Sequence, residues 1–335
     1  MTSRRRRVLR GAAFAAVLVA ILAGLYSCMI SMPGKSHQGP LPPLTPSESA
    51  LVSALRRDVV ELAESIGERN VVKYAALKKA ADYVDSGLRV VGPVSRHTYK
   101  ADGRDCDNLE VEIRGTSSPG EVVVVGAHYD SVVNCPGAND NASGVAGLLA
   151  LARALANSKP ERTLRLVAFV NEEPPHFRTS EMGSRVYARR CRERNETVTA
   201  MLSLETIGCF TDQPDTQKYP APLGLCYPST GNFIAFVGNV GSRSLVRRCV
   251  KTFRARAPFP SEGAALPGFL PGVGWSDHES FWENGFPAVM VTDTAPFRFA
   301  HYHLRGDTPD KVDFERCARV VAGVEQVIRE LAGIP

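Results

Sequence analysis

The stretch VVVVGAHYD (122–130) runs four valines almost directly into His128 and Asp130, and ten residues after Asp130 the turn-rich PGANDNASG holds Asp140. An acidic pair, Glu172 and Glu173, leaves the apolar run RLVAFV just ahead of a Pro-Pro break. Glu205 ends the otherwise apolar MLSLE, and FRFAHYHLRGDTPDKVD gathers His301 and His303 beside Asp307 and Asp310. Imidazole nitrogens and carboxylate oxygens with almost no sulfur suit zinc or another divalent ion in a catalytic site. Buried together without a cation, several carboxylates would repel one another in a medium of low dielectric. Two adjacent glutamates alone are equally a surface feature. It is their company, polar groups at the ends of several apolar runs, that points to metal chemistry.

Such groups converge only if rigid elements carry them. EVVVVGAHYD is a short continuous apolar run, the pattern of a strand covered on both faces. RTLRLVAFVNEE, VTAMLSLETIG, NFIAFVGN and FPAVMVTD read as further strands, and RVVGPVSRHTYKADGRDCDNLEVEIRG as two strands about a loop. Between and after them lie helical segments: NASGVAGLLALARALANS, TSEMGSRVYARRCRERN, GSRSLVRRCVKTFRAR and DKVDFERCARVVAGVEQVIRELAG. Residues 48–86 add two more helical stretches, the first with Leu51, Leu55, Val59 and Leu62 at helix spacing. Strands separated by helices of this length predict an α/β fold, a three-layer α/β/α sandwich with a mixed, largely parallel central sheet, expected as one domain over 48–335. In such folds catalytic groups collect beyond the carboxyl ends of strands, where the polar residues above sit.

The chain is 335 residues long and 44% hydrophobic, ample for one sizeable core. Of its net charge of +5, Arg4, Arg5, Arg6, Arg7 and Arg10 supply five positive charges, so the rest is close to neutral and no nucleic-acid partner is expected. The arginines precede GAAFAAVLVAILAGLYSCMI (11–30), a predominantly apolar stretch long enough to span a membrane with the body outside the cytoplasm. Residues 1–30 are therefore expected to anchor the protein in the inner membrane of a bacterial cell envelope; a cleaved export signal is the alternative, as is a lipoprotein, since Leu25-Tyr26-Ser27-Cys28 resembles a lipobox. A Pro- and Gly-rich linker is expected over 31–47. Of eight cysteines seven follow the linker, with Cys209 and Cys226 the preferred disulfide pair because they flank one loop; that loop, 209–232, is expected to rim the cleft. There is no CxxC for a thiolate zinc site, no GxSxG for a serine hydrolase and no GxGxxG after a strand.

Six motifs in order, GAHYDS, GANDNASGVA, NEEP, LSLETIG, GWSDHESFWENGFPAVMVTD and HYHLRGDTPDKVD, strongly resemble the zinc aminopeptidases of the bacterial leucyl aminopeptidase type, related to glutamate carboxypeptidases and more distantly to glutaminyl cyclases, over roughly residues 85–330. The resemblance implies a zinc-peptidase sandwich of the phosphorylase/hydrolase-like kind, two zinc ions, and peptide substrates with a free amino end. It implies His128 and Glu205 as ligands of one zinc, Glu173 and His303 as ligands of the other, Asp140 bridging both, and Glu172 as the general base. Asp130 is expected to hold the other ring nitrogen of His128, and Asp277 to do likewise for His303. Trp275 stands where some relatives carry a tyrosine thought to stabilise the oxyanion, so its indole N–H is a candidate donor. His278 is expected to be structural and His301 to face away. Glutamate-type carboxypeptidase, glutaminyl cyclase and a receptor-like module without catalysis are the alternatives the same resemblance leaves open.

Overall fold

The computed structural model describes Val17, Gly24 and residues 26–335. Its sheet comprises β1 (Ser95–Ala101), β2 (Arg104–Ile113), β3 (Ser118–His128), β4 (Arg162–Phe169), β5 (Thr197–Glu205), β6 (Ile234–Asn239), β7 (Ser261–Leu266) and β8 (Ala288–Thr292). They lie side by side in the order β1-β2-β4-β3-β5-β8-β6-β7. The central pairings β4–β3–β5–β8 are parallel, as is β6–β7, while β1–β2, β2–β4 and β8–β6 are antiparallel. This is the mixed, mostly parallel sheet that the sequence predicts.

Helices cover both faces. The four valines show why: Val123 and Val125 point into the larger core, Val122 and Val124 into a smaller one behind the sheet. That alternation is the period of a strand, and apolar residues on both sides of it demand two covering layers. The larger core is shared by α1 (Pro46–Val60), α2 (Tyr74–Leu88), α3 (Gly144–Leu155), α5 (Arg243–Arg256) and α7 (Phe314–Ala332). On the other face α4 (Gly183–Glu193) and α6 (His278–Glu283) pack Tyr187, Cys191 and Phe281 against Phe169 and Met201. α1 starts on a capping box in which Thr45 Oγ1 accepts from Glu48 N at 3.2 Å and Thr45 N donates to Glu48 Oε2 at 2.7 Å.

Two elements differ from the sequence reading. SEGAAL (261–266) forms the edge strand β7 with small residues and no β-branched one, held by six parallel partners on β6 from Ile234↔Ser261 to Asn239↔Leu266. Residues 278–283 close into α6, a helix too short to show a period.

Among the described residues no helix is long and apolar enough to cross a membrane. This overturns the expected spanning anchor within residues 1–30, and with it the expected membrane attachment and the expected place in an inner membrane; residues 1–16, 18–23 and 25 of that segment lie outside the described residues. Beyond it, residues 27–36 lie along the body: Arg243 Nε donates to Cys28 O at 2.6 Å, Arg254 Nη1 to Gly34 O at 3.2 Å, and Ser261 N to Ser36 Oγ at 2.8 Å. The preferred Cys209–Cys226 disulfide is absent, since every cysteine is free.

Candidate active site

Three strands deliver the polar groups at their carboxyl ends. His128 is the last residue of β3, Glu205 the last of β5, and Glu172 and Glu173 follow β4. Asp140 returns to the same point from the turn after β3, where Gly137 takes φ +63 and a side chain there would meet Asp140 O at 2.3 Å. His303, in the loop before α7, completes the group.

Five of the six side chains divide into two sets that share Asp140. On one side Asp140 Oδ1 lies 3.4 Å from His128 Nε2, and Glu205 Oε2 lies 3.3 Å from the same nitrogen. On the other, Asp140 Oδ2 lies 3.1 Å from His303 Nε2, and Glu173 Oε2 3.2 Å from it. His128, Asp140 and Glu205 form one group with ligand spacing, and Asp140, Glu173 and His303 a second. Glu172 belongs to neither; its Oε2 stands 3.8 Å from His128 Nε2. A further grouping of Asp102, His176 and Glu181 stands apart, where the β1–β2 turn meets the loop between β4 and α4.

Main-chain amides fix these side chains through buried aspartates. Asp130 accepts from Glu172 N and Glu173 N, each at 3.1 Å, and its Oδ1 stands 3.5 Å from His128 Nδ1, a charge contact rather than a hydrogen bond. Asp307 accepts from Asn139 N at 2.7 Å and Asp140 N at 3.0 Å. Asp293, at the exit of β8, accepts from Gly208 N, Cys209 N and Asn139 Nδ2. Arg69, fully buried, ties the 129–137 connection down by donating to Tyr129 O at 2.7 Å and Gly137 O at 2.8 Å. Ser276 Oγ donates to Glu205 Oε2 at 2.7 Å. None of Arg69, Asp293 and Asp307 was assigned this task from sequence. For Asp293 the available signal was its position directly after an apolar strand.

Charge is concentrated here. Burial drives Glu172 well above the ordinary carboxylate range, and the charges of Glu205 and Glu173 add to it against the pull of His128. Burial and the charge of Asp140 carry Glu173 up to about 7, with His303 opposing. Burial raises Glu205 as well. Asp140 is the exception: burial disfavours its charge, but His128 and His303 outweigh that and hold it below its usual value. Burial also opposes the charged forms of both histidines, yet their carboxylate neighbours prevail, pushing His303 up to about 10 and His128 well above its usual value.

Both ring nitrogens of His128 and Glu173 Oε1 are buried without a hydrogen-bond partner. An imidazole nitrogen aimed at several carboxylates with nothing to bond is what a bound cation would satisfy. The donor set of two histidines and carboxylate oxygens fits two zinc ions.

Asp277 makes no hydrogen bond to His303. Its carboxyl group is wholly buried and raised to about 7 by burial, with His128 opposing and Glu205 adding to the shift, and neither of its oxygens has a hydrogen-bond partner among the described residues. His278 Nε2 bonds Val273 O at 2.8 Å, a structural role, and the ring of His301 packs on Phe299 outside both sets. Trp275 and Tyr302 both line the cleft over the two sets. Tyr302 stacks its ring on that of His303 at 3.9 Å; its place directly before a ligand candidate is the sequence signal for it.

The chain is 36% identical over 299 residues to "Uncharacterized protein YfbL" of Escherichia coli (strain K12), covering 84% of this chain and 88% of that one. It is 29% identical over 280 residues to a "Probable zinc metalloprotease" of Pyrenophora tritici-repentis, where it spans 74% of its own length and only 55% of the fungal protein's. In fold it resembles a zinc aminopeptidase from Bacillus subtilis, with TM-score 0.65 at 16% identity over 88% of this chain and 96% of that one. A glutaminyl cyclase from Fimbriiglobus ruber shares the fold comparably, with TM-score 0.62 at 20% identity over 89% of this chain and 99% of that one. Residues 108–328 match the sequence profile of Peptidase family M28, and with that match and the Escherichia coli relative the chain belongs to this family.

Proposed function

We propose that this chain is a two-zinc aminopeptidase that hydrolyses the first peptide bond of substrates with a free amino end. The observation that carries the reading is Asp140, whose two oxygens face two separate sets, His128 with Glu205 and His303 with Glu173. A carboxylate placed so is suited to bridge two ions, and each set would hold one. Two divalent ions there supply Lewis acidity toward a carbonyl oxygen and a water.

The chain's own groups do the rest. Glu172, buried and outside both sets, takes a proton from the attacking water and delivers it to the departing amine nitrogen. Asp130 keeps Glu172 and Glu173 side by side through their amides. Trp275 and Tyr302, on the cleft wall, are the donors available to a developing oxyanion. The likeness to a fungal probable zinc metalloprotease and to a Bacillus subtilis zinc aminopeptidase supports the same reading.

The test pairs metal content with a substrate panel. The zinc-loaded chain is expected to hold two zinc equivalents and to hydrolyse aminoacyl amides, and to leave their N-acetylated forms intact. One equivalent, with cyclisation of amino-terminal glutamine and no hydrolysis, would instead favour a cyclase.

A further inference from the structure

Next to the metal cleft, and sharing Glu205, Trp275 and Tyr302 with it, opens a second pocket of about 760 Å³ including its mouth. Its floor is a face of the sheet. Glu205 pairs in register with Thr292, Thr292 with Ala235, and Ala235 with Glu262, so one row crosses β5, β8, β6 and β7. A parallel row of Met290, Val237 and Ala264 lies beside it. Gly263 fixes the orientation of β7, because a side chain there would meet Val250 and Met32 on the opposite face. Aromatic rings of Tyr219, Tyr227, Phe233 and Phe297 form the walls.

The row joins two carboxylates through small residues. Besides Glu205 at the metal end, Glu262 is the one acidic residue lining the pocket among the described residues. Its side chain is 23% exposed, and its ion-pair partner, Arg254, reaches it only at 3.4 Å. Arg254 meanwhile donates to Pro33 O, Gly34 O and, at 2.7 Å, Ser261 O, so its charge is shared among several acceptors. Glu262 thus presents a partly compensated negative charge at the end of an otherwise apolar, aromatic-walled pocket.

We propose, resting on the aminopeptidase reading, that this pocket receives the side chain of the substrate's first residue and that Glu262 selects one with a long apolar stem and a cationic tip, lysine or arginine. Three strand spacings separate Glu205 and Glu262, about 14 Å between backbones. A lysine extends about 6 Å from its Cα, five bonds of about 1.5 Å in zigzag, and Glu262 reaches partway to meet it. The stem would lie over Thr292 and Ala235, the small residues of the row between Glu205 and Glu262. Aromatic walls accept a cation over their faces. A leucine or norleucine would remove water from Glu262 and return no hydrogen bond.

Lysinamide and norleucinamide derivatives differ only by the ammonium group, so kcat/KM for the two, on the zinc-loaded full chain, isolates the tip. The lysyl substrate is expected to be favoured about 10- to 100-fold, the range for a hydrogen bond to a charged group. Glu262→Gln should cut that ratio by at least about tenfold while still hydrolysing the norleucyl substrate. A native ratio at or below one overturns the inference without recourse to any variant, and so does a ratio that Glu262→Gln leaves unchanged. Hydrolysis of the norleucyl substrate in either case leaves the aminopeptidase reading standing; hydrolysis of neither substrate at two bound zincs overturns both.

Discussion

Exchanging Glu172 or Glu173 for glutamine separates proton transfer from metal binding at adjacent positions. Both amides are anchored on Asp130 at 3.1 Å, so neither exchange disturbs the backbone. The side chains diverge from there. Glu173 Oε2 lies 3.2 Å from His303 Nε2 inside the second ligand set, whereas Glu172 Oε2 is 3.8 Å from His128 Nε2 and in no set. Glutamine at 172 keeps shape and polarity but cannot accept the water's proton. Loss of a general base costs about 10²–10⁴ in rate, roughly 3–5 kcal/mol of barrier, and should fall on kcat with KM little changed and both zincs retained. Glutamine at 173 removes one negative charge and one ligand oxygen from the set of Asp140 and His303. That should weaken one zinc by more than the 10- to 100-fold that losing an outlying partner of a ligand costs, and make activity depend on added zinc. Steady-state kinetics at graded zinc, with metal content of the dialysed proteins, measures both. A zinc lost from Glu172→Gln and two kept by Glu173→Gln would reverse the assignment, and full activity in Glu172→Gln would refute the mechanism.

Asp307→Asn should destabilise the protein by about 2–4 kcal/mol in urea unfolding, since an amide offers one oxygen where the carboxylate accepts from Asn139 N and Asp140 N with two; an unchanged midpoint would show the two bonds to be dispensable. Zinc binding should expel protons. In the metal-free protein the carboxylates raise His128 well above its usual value and His303 to about 10, so both hold a proton at pH 7 that metal must displace. Calorimetry in buffers of different ionisation heat should find at least about two protons released per two zincs, and affinity should rise with pH from 6 to 8. Release of fewer than one would refute the charge balance inferred for the cleft.

The strands that carry the ligand candidates were legible because their sequences combine apolar runs with an abrupt polar end, as at Val125 to His128 and Leu204 to Glu205. The sheet's far edge was not. SEGAAL has no strand-forming composition, and its pairing to β6 is a tertiary fact that overrides weak local preference. Nor does sequence reveal that β6 runs antiparallel to β8, which brings Ala235 beside Thr292. Cys209 and Cys226 flank one loop, yet closeness along the chain does not make two sulfurs meet, and both are free. Apolar length suggested a spanning helix near the amino end, and no described helix provides one.

The strand order has a consequence for how such a protein diversifies. Four of the five ligand candidates come from the ends of the contiguous strands β4, β3 and β5 or the turn after β3, and His303 from the loop after β8, while the floor of the second pocket comes from β8, β6 and β7, contiguous on the other side of Glu205. Chemistry and choice of substrate therefore draw mainly on neighbouring halves of one sheet that meet at Glu205, with Trp275 and Tyr302 lining both cavities. A larger side chain at Ala235, or a different polar group at position 262, would redraw the accepted substrates without moving a ligand atom. Descendants of one such chain can change diet by mutations at the sheet's edge and keep the reaction unaltered.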